Sequence, residues 1–589
     1  MAYQAPVADI AFTLKHAAGF AAARADGIYE VDDGLLEAVL AEAGRFASDV
    51  IAPLNRIGDR HGTPYHDGNV TTPPGWKDAY RAWAAAGWNG LAAPLDWGGQ
   101  GLPHAINAAC CEMWNSASMA FAIGPGLTMA AINTLAKHGT AALQKTYLAK
   151  LVSGEWTGTM QLTEPQAGSD VGALRTKATR AADGTYRISG EKIFTTYGEH
   201  DLTDNIIHLV LARLPDAPAG TKGISLFLVP KFMVNADGSL GARNDVRAQS
   251  VEHKLGIHGS PTCTMVYGDK GGAVGFLIGE EHKGMACMFT MMNEARLLVG
   301  LQGVAIAETA TQQALAYARE RRQGRTDGMP DTESSLIIVH PDVQRMLLSM
   351  RALTRAARAI CYSTAVAIDR AAKGADQDKR KAAHARASLL TPVAKAFSTD
   401  IGTEVASLGV QVHGGMGYVE QTGAAQHYRD ARIAQIYEGT NGIQAIDLVT
   451  RKLPLSDAVA DHLASLRRSV EAVMAANEPG FGATGHRLAE AVGSLSRATA
   501  WLVGRLDTAP EAALAGATPY LRLFALATGG CLLADEALAA RRGDTNDGQA
   551  RTALARFFAE HHAIECRGIE RSVVEGAGAF AGAQAALSG

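Results

Sequence analysis

Apolar residues recur at threes and fours along roughly the first 160 residues. In GLLEAVLAEAGRFASDVIAPL the positions Leu35, Val39, Ala43, Phe46 and Val50 fall on one stripe, the spacing that turns one face of an α-helix toward a core. The period then changes. YRISGEKIFTTYG, IIHLVLARL, GISLFLVPKF, TCTMVYG and AVGFLIG are short apolar or alternating runs between clusters of Gly, Pro, Asp and Lys, as strands separated by turns are. From about residue 282 the helical period returns in long segments such as GLQGVAIAETATQQALAYARERR and VQRMLLSMRALTRAARAICYSTAVAID, long enough for extended packed helices. Beyond Pro454 an alanine-rich stretch repeats Leu488, Val492, Leu495, Ala498, Leu502 and Leu506 in steps of four and three. The expectation is a mostly α protein with a central β domain: a helical N-terminal domain (1–160), a β-sheet domain (161–281), a helical bundle (282–453) and an appended helical domain (454–589). GATGHR and RRGDTNDGQ read as exposed loops.

Composition narrows the functions this architecture can serve. A chain of 589 residues with 47% hydrophobic and 19% charged residues is globular rather than disordered or fibrous, and too long for one core. The formal net charge is -4 with no block of like charges, and residues 454–589 hold twelve Arg against fifteen Asp plus Glu and no Lys. That balance argues against nucleic acid and acidic membranes as partners. The seven cysteines show no CxxC spacing, the N-terminus has no basic-then-apolar leader, and no run of eighteen apolar residues occurs. The reading is a cytoplasmic protein without a membrane span.

Several short stretches carry candidate chemistry, each with a plain structural alternative. MQLTEPQAGSD (160–170) gathers hydroxyls and backbone amides around Pro165 and Gly168; it could hold a planar polar ligand, or be a turn between helix and strand. KIFTTYG places Phe194 two residues before Thr196, so on a regular strand both face one way, toward a flavin-like ring or toward a core. YARERRQGR ends a long helix in arginines, and VQVHGGMGY has glycines where backbone could approach a ligand; neither fits a Rossmann or Walker pattern. No metal-ligand spacing and no GxSxG elbow is present.

In that order, TEPQAGSD, KIFTTYG, ERRQGR, QVHGGMGY and RDARIAQIYEGTNGIQ resemble the motifs of the acyl-CoA dehydrogenases, and PLDWGGQGLP is similar to a loop of that family's N-terminal domain. The resemblance spans roughly residues 80–453. It implies the fold of that family, FAD as cofactor, an acyl-CoA substrate, and Glu438 in IYEGT as the base that removes the α proton. Tyr437 and Gly439 would wall the base, and Arg296 would lie beside the acyl-CoA channel. Met160, Leu162, Thr163, Phe194 and Thr196 would meet the flavin, with Ser169 at the flavin or the CoA arm. Arg321 would reach the FAD pyrophosphate across a subunit interface, Gln411 and Gly415 its phosphate or adenosine end, and Thr440 would do so beside the base. Met160 stands where many members carry an aromatic, and Gly324 where Phe is usual. Some members place the base on the earlier helix; the matching position here is Ala295, with Glu294 one step, about 100°, out of register. The opening YQAPVADIAFTL and the appended domain resemble a longer bacterial branch that includes 3-methylthiopropionyl-CoA dehydrogenase, which sets that thioester or a short- to medium-chain acyl-CoA as the expected substrate. An electron-transfer flavoprotein as acceptor and a homodimer are implied likewise. An acyl-CoA oxidase and a flavin-binding non-dehydrogenase relative are the alternatives.

Overall fold

The computed structural model describes residues 3–326, 330, 333–476, 478–542 and 546–588. Its N-terminal part is helical. Helix α1 (Asp33–Phe46) starts at the Asp32 cap, whose carboxylate accepts from Leu35 N–H. It buries Leu36, Leu40, Ala43 and Phe46, while Leu35 is 46% exposed. Ala43 and Phe46 of the expected stripe are thus buried, but Leu36 and Leu40 enter the core in place of Leu35 and Val39, because adjacent positions fit the same spacing and only packing chooses between them. Helix α2 (Trp76–Ala85) follows. The long α3 (His104–His138) runs as two helices joined at Ser118, whose φ of -161° and ψ of 104° are extended.

Eight strands make the central sheet. They are β1 (Thr157–Gln161), β2 (Lys177–Arg180), β3 (Tyr186–Thr196), β4 (Ile206–Arg213), β5 (Ile224–Pro230), β6 (Val246–Val251), β7 (Thr262–Tyr267) and β8 (Ala273–Ile278). Their order is β6-β7-β3-β8-β5-β4-β1, with β2 pairing β3 and β4. Each of the five apolar runs read as strands lies in this sheet. Strands β1 and β2 escape pattern reading because TGTMQ and KATR are short and polar.

The bundle is built on α4 (Gly284–Glu320), α5 (Pro341–Lys373) and α6 (Gln377–His413). Glycines let α4 and α6 touch backbone to backbone. A Cβ on Gly303 would sit 2.2 Å from the Ser398 carbonyl oxygen, and one on Gly402 2.8 Å from that of Gly303. Rigid backbone cannot yield as a side chain can, so Gly303→Ala is expected to cost about 1–3 kcal/mol or more as overpacking, read as a lowered denaturation midpoint at unchanged slope.

The appended domain is built on α8 (Thr484–Val503) and α9 (Ala517–Arg541), and α9 packs against α7 (Asn441–Asp447), the last α-helix of the bundle. Leu488, Val492, Leu495, Ala498 and Leu502 are buried along α8 as expected, and Leu506 lies past its end. GATGHR is largely the first turn of α8 rather than a loop: Thr484 is buried and its hydroxyl donates to the Phe481 carbonyl. Of RRGDTNDGQ, residues 543–545 lie outside the described residues, and Asn546 begins a helix. Helices α3 and α9 are long and apolar enough to cross a bilayer, but 78% of each apolar window is buried inside the protein, which makes them core helices.

A buried ionic cluster joins the first residues to the last domain. Arg358, fully buried, donates to Glu112 at 2.6 Å and Glu308 at 2.8 Å and approaches Asp9 at 3.4 Å. Tyr362 donates to Glu112 at 2.6 Å. Asp9 also pairs with Arg355 and, at 2.7 Å, with Arg551, which pairs in turn with Glu536. Three guanidinium groups hold the Asp9 carboxyl low, at about 2, against the opposing pull of burial.

Candidate active site

Glu438 sits in the loop between the helical turn Arg432–Gln435 and α7. It and Gly439 both have positive φ, 55° and 83°, a strained choice for a glutamate that the surroundings must enforce. Lys395 of α6 supplies much of that enforcement. Its ammonium, fully buried, donates to the Gly439 carbonyl at 2.8 Å and to Asn441 Oδ1 at 2.9 Å. Asn441 donates onward to Asp400 at 2.7 Å, Gln444 to the Glu438 carbonyl at 3.3 Å, and Tyr437 to Gln302 at 2.5 Å. Thr440 caps α7 by accepting from Ile443 N–H. Gly439 is required twice over, since a Cβ there would meet Gln444 Nε2 at 2.5 Å.

The Glu438 side chain lines a narrow apolar slot with about 50 Å3 of free volume, together with Thr196, Tyr437 and Ala295. The break in α3 shapes the opposite wall: Cys111, Trp114 and Asn115 come from before Ser118, and Ala122, Ile123 and Gly126 from after it. Burial pushes the Glu438 carboxyl up to about 7, with Arg296 and Lys395 pulling the other way. Burial likewise pulls Lys395 down to about 7 and lowers Arg296, whose Nε finds no partner among the described residues. The slot therefore holds a carboxylate of near-neutral affinity for protons, the state suited to a general base.

Glu294 points elsewhere. It lines a separate cleft of about 620 Å3 beside His104 and Lys137, and accepts from Asn133 at 2.6 Å. On α4 it is Ala295, without a carboxylate, that faces Glu438.

The sheet end beside the slot carries the other expected positions. Glu164, buried, accepts from Lys192 at 2.7 Å, Thr176 Oγ1 at 2.6 Å and the Arg175 and Thr176 amides. These donors hold its carboxyl at about 2 and fix the TEPQAGSD turn. Thr163 accepts from Ile193 N–H through its carbonyl, Ser169 is exposed, and Met160 and Leu162 are half-buried. The alternation expected in KIFTTYG fails. The pairing of β3 with β7 shifts register between Cys263 and Met265, which leaves an extra residue in β3. Phe194 then takes a φ of 56°, the bulge geometry that re-aims a side chain, and its ring is 59% exposed.

Arg321, Gln411 and Gly415 are not brought to this slot. Arg321 caps the far end of α4, and Gln411 and Gly415 lie at the matching end of α6, all exposed. Nineteen residues separate Arg321 from Gln302 beside the base, about 28 Å along a helix.

Four family models match consecutive parts of the chain: acyl-CoA dehydrogenase N-terminal domain at 36–155, middle domain at 159–269, C-terminal domain at 282–453, and acetyl-CoA dehydrogenase C-terminal like at 459–584. The chain belongs to the acyl-CoA dehydrogenase family. Among acyl-CoA dehydrogenases it is 46% identical to the 3-methylmercaptopropionyl-CoA dehydrogenase of Ruegeria pomeroyi over 96% of this chain and 97% of that one. It is 38% identical to a butyryl-CoA dehydrogenase of Syntrophomonas wolfei over 72% and 71% of the two chains. The fold matches a solved acyl-CoA dehydrogenase of Bacillus anthracis with a TM-score of 0.75 at 21% identity, covering 92% of this chain and 88% of that one. The chain is thus an FAD-dependent oxidoreductase acting on acyl-CoA thioesters. Its residues are compatible with an isoalloxazine: the bulged Phe194 ring is exposed, Thr163 and Thr196 are half-buried, and no atom beyond its chain neighbours lies within 4 Å of a Cβ built on Gly168.

Sequence reasoning missed Lys395 and Gln302, which fix the Glu438 loop, and the tryptophans of the slot. Lys395 carried a weak signal in retrospect, a charge inside the apolar run LLTPVAKAF.

Proposed function

We propose that Glu438 is the base of this dehydrogenase and that its substrate is a short acyl-CoA, a 3-(methylthio)propionyl thioester being the leading member. The observation that carries the reading is the half-buried Glu438 carboxylate at the mouth of a small, tryptophan-walled slot, where its surroundings raise its carboxyl well above the ordinary range. The 46% identical relative named for that thioester supports the sulfur-containing acyl group.

The thioester lies with its α carbon against Glu438, which accepts the α proton. Among the described residues nothing accepts a hydrogen bond from the Glu438 backbone N–H, so this amide is free to donate to the thioester carbonyl as charge develops there. When bound, FAD supplies the acceptor for the β hydrogen and its electron pair. One C–H bond at each carbon is exchanged for the Cα–Cβ double bond, giving a trans-2-enoyl-CoA. Closing the slot with substrate removes the remaining water from Glu438 and raises its basicity further.

We extend the reading to a homodimer. Arg321, Gln411 and Gly415, remote from the slot of their own chain, would reach a cofactor held by a second copy, and exposed Met416, Tyr418 and Val419 beside them would be covered. An electron-transfer flavoprotein is the proposed acceptor. Seven free, buried thiols support a reducing compartment such as the cytoplasm.

Anaerobic titration with butyryl-, 3-methylthiopropionyl-, octanoyl- and palmitoyl-CoA, following the flavin's visible absorbance, tests the substrate. Bleaching by the two shortest and none by palmitoyl-CoA is expected. Equal bleaching by palmitoyl-CoA would overturn the short-chain reading.

A further inference from the structure

Lys395 is 0% exposed, and the acceptors it meets are neutral. Its Nζ donates to the Gly439 carbonyl at 2.8 Å and to Asn441 Oδ1 at 2.9 Å, and it makes no ion pair among the described residues. An ammonium taken out of water without a carboxylate in contact is costly, and a neutral donor could hold the same two oxygens at less cost. The loop is also tied to α6 by other bonds: Asn441 Nδ2 donates to the Ala396 carbonyl at 3.1 Å and to Asp400 at 2.7 Å. What a cation alone adds at this point is its charge.

That charge lies behind Glu438. Gly439 follows Glu438 directly in the chain, so the ammonium binds the residue next to the carboxylate while making no hydrogen bond to the carboxylate itself. A direct ion pair would occupy the oxygens that must accept the α proton and depress their basicity, whereas no cation at all would leave burial unopposed. Burial raises the Glu438 carboxyl, and Arg296 of α4 and then Lys395 oppose that rise. The charged groups that face Lys395 are Glu438 on the loop, Asp400 on α6 and Arg296 on α4: burial disfavours the ammonium, the two carboxylates favour it and the guanidinium opposes it. From α7 come only the neutral side chains of Asn441 and Gln444.

Resting on the reading of Glu438 as the base, we propose that Lys395 is a positioning residue of this reaction: held one residue short of the carboxylate by Gly439 and Asn441, its ammonium supplies the positive charge that keeps Glu438 ionised for proton abstraction, in addition to fixing the loop.

The test is single-turnover reduction of the holoenzyme's flavin across the neutral pH range, with the thioester that bleaches wild type fastest. In Lys395→Met, which removes both charge and clamp, the midpoint is expected to move up by about one pH unit, and the rate at neutral pH to fall by about 10-fold, the effect of withdrawing one nearby opposite charge. Lys395→Gln keeps an N–H donor without the charge and should show the same upward move. Lys395→Arg keeps the charge and should return the midpoint to the wild-type value, even where a displaced loop lowers its plateau. A purely structural lysine gives a different pattern, lower plateaus in all three variants at one midpoint. A midpoint unmoved in both neutral variants, or moved as far in Lys395→Arg as in Lys395→Gln, overturns the proposal. Should Lys395→Met not hold its flavin, the Gln and Arg variants decide between charge and clamp. Glu438→Gln run alongside separates the two readings: its reduction at the wild-type rate would defeat the base assignment, whereas an inert Glu438→Gln with unmoved Lys395 midpoints defeats only the role given to Lys395.

Discussion

Glu438→Gln is expected to abolish reduction of the flavin by acyl-CoA, slowing it by at least about 10²- to 10⁴-fold, the range assigned to a positioned general base. Glutamine keeps the size of the side chain and the backbone contacts of the loop, from Lys395 to the Gly439 carbonyl and from Gln444 to the Glu438 carbonyl, so the variant should stay yellow and still bind thioester. The wild-type enzyme supplies the second half of the experiment. Burial raises the Glu438 carboxyl to about 7, and only the ionised form can accept a proton. Flavin reduction should therefore be slow in acid and rise as pH increases, with a midpoint above about 7 once substrate has closed the slot, reaching a plateau beyond it. Single-turnover mixing across this range measures both claims. Reduction of the variant at the wild-type rate, or a wild-type profile flat across neutrality, would remove Glu438 from the mechanism.

Arg358→Met is expected to cost about 3–5 kcal/mol of stability, the price of leaving buried charge without its partner. The guanidinium contacts Glu112, Glu308 and Asp9 from a fully buried position, and methionine fills much of the volume without the charge. Glu112, itself fully buried, is already pushed up by burial with Arg358 present. Without Arg358 its folded-state pKa should rise further above the unfolded value. A raised carboxyl pKa favours the folded state at low pH and loses that contribution as pH increases, so the deficit of the variant should grow from acid toward neutral pH. Denaturant unfolding of both forms at several pH values measures this. The double variant Glu112→Gln with Arg358→Met should recover part of the loss, because the orphaned charge is gone. A single variant as stable as wild type at neutral pH would show that the cluster adds nothing.

The loop around Glu438 stood out most clearly in the sequence, and the reason is local. IYEGT concentrates a carboxylate, an aromatic ring and a glycine in consecutive positions, and their roles depend on short-range geometry. Lys395 was illegible because a lysine in a helical run is ordinarily solvated; it becomes a clamp only when α6 packs beneath residue 439. At the start of α1 the leucine that enters the core was misjudged by one residue, since adjacent Leu35 and Leu36 satisfy the same period, whereas Ala43 and Phe46 are buried as expected. Phe194 was expected to follow strand alternation and does not, because the bulge arises from pairing with β7, some seventy residues later. The slot's wall was invisible for the same kind of reason: Trp83, Trp114 and Ala295 meet only in three dimensions.

The link between Asp9 and Arg551 spans 542 residues, and this has a consequence for how the protein is made. At about 5–20 residues per second of synthesis, the acid at position 9 waits roughly half a minute to two minutes for that partner to emerge. During that interval Asp9 has only Arg355 and Arg358 as guanidinium partners, and those arrive some 350 residues after it. Completion of the last domain therefore supplies the third guanidinium of that carboxylate, joining the two ends of the chain.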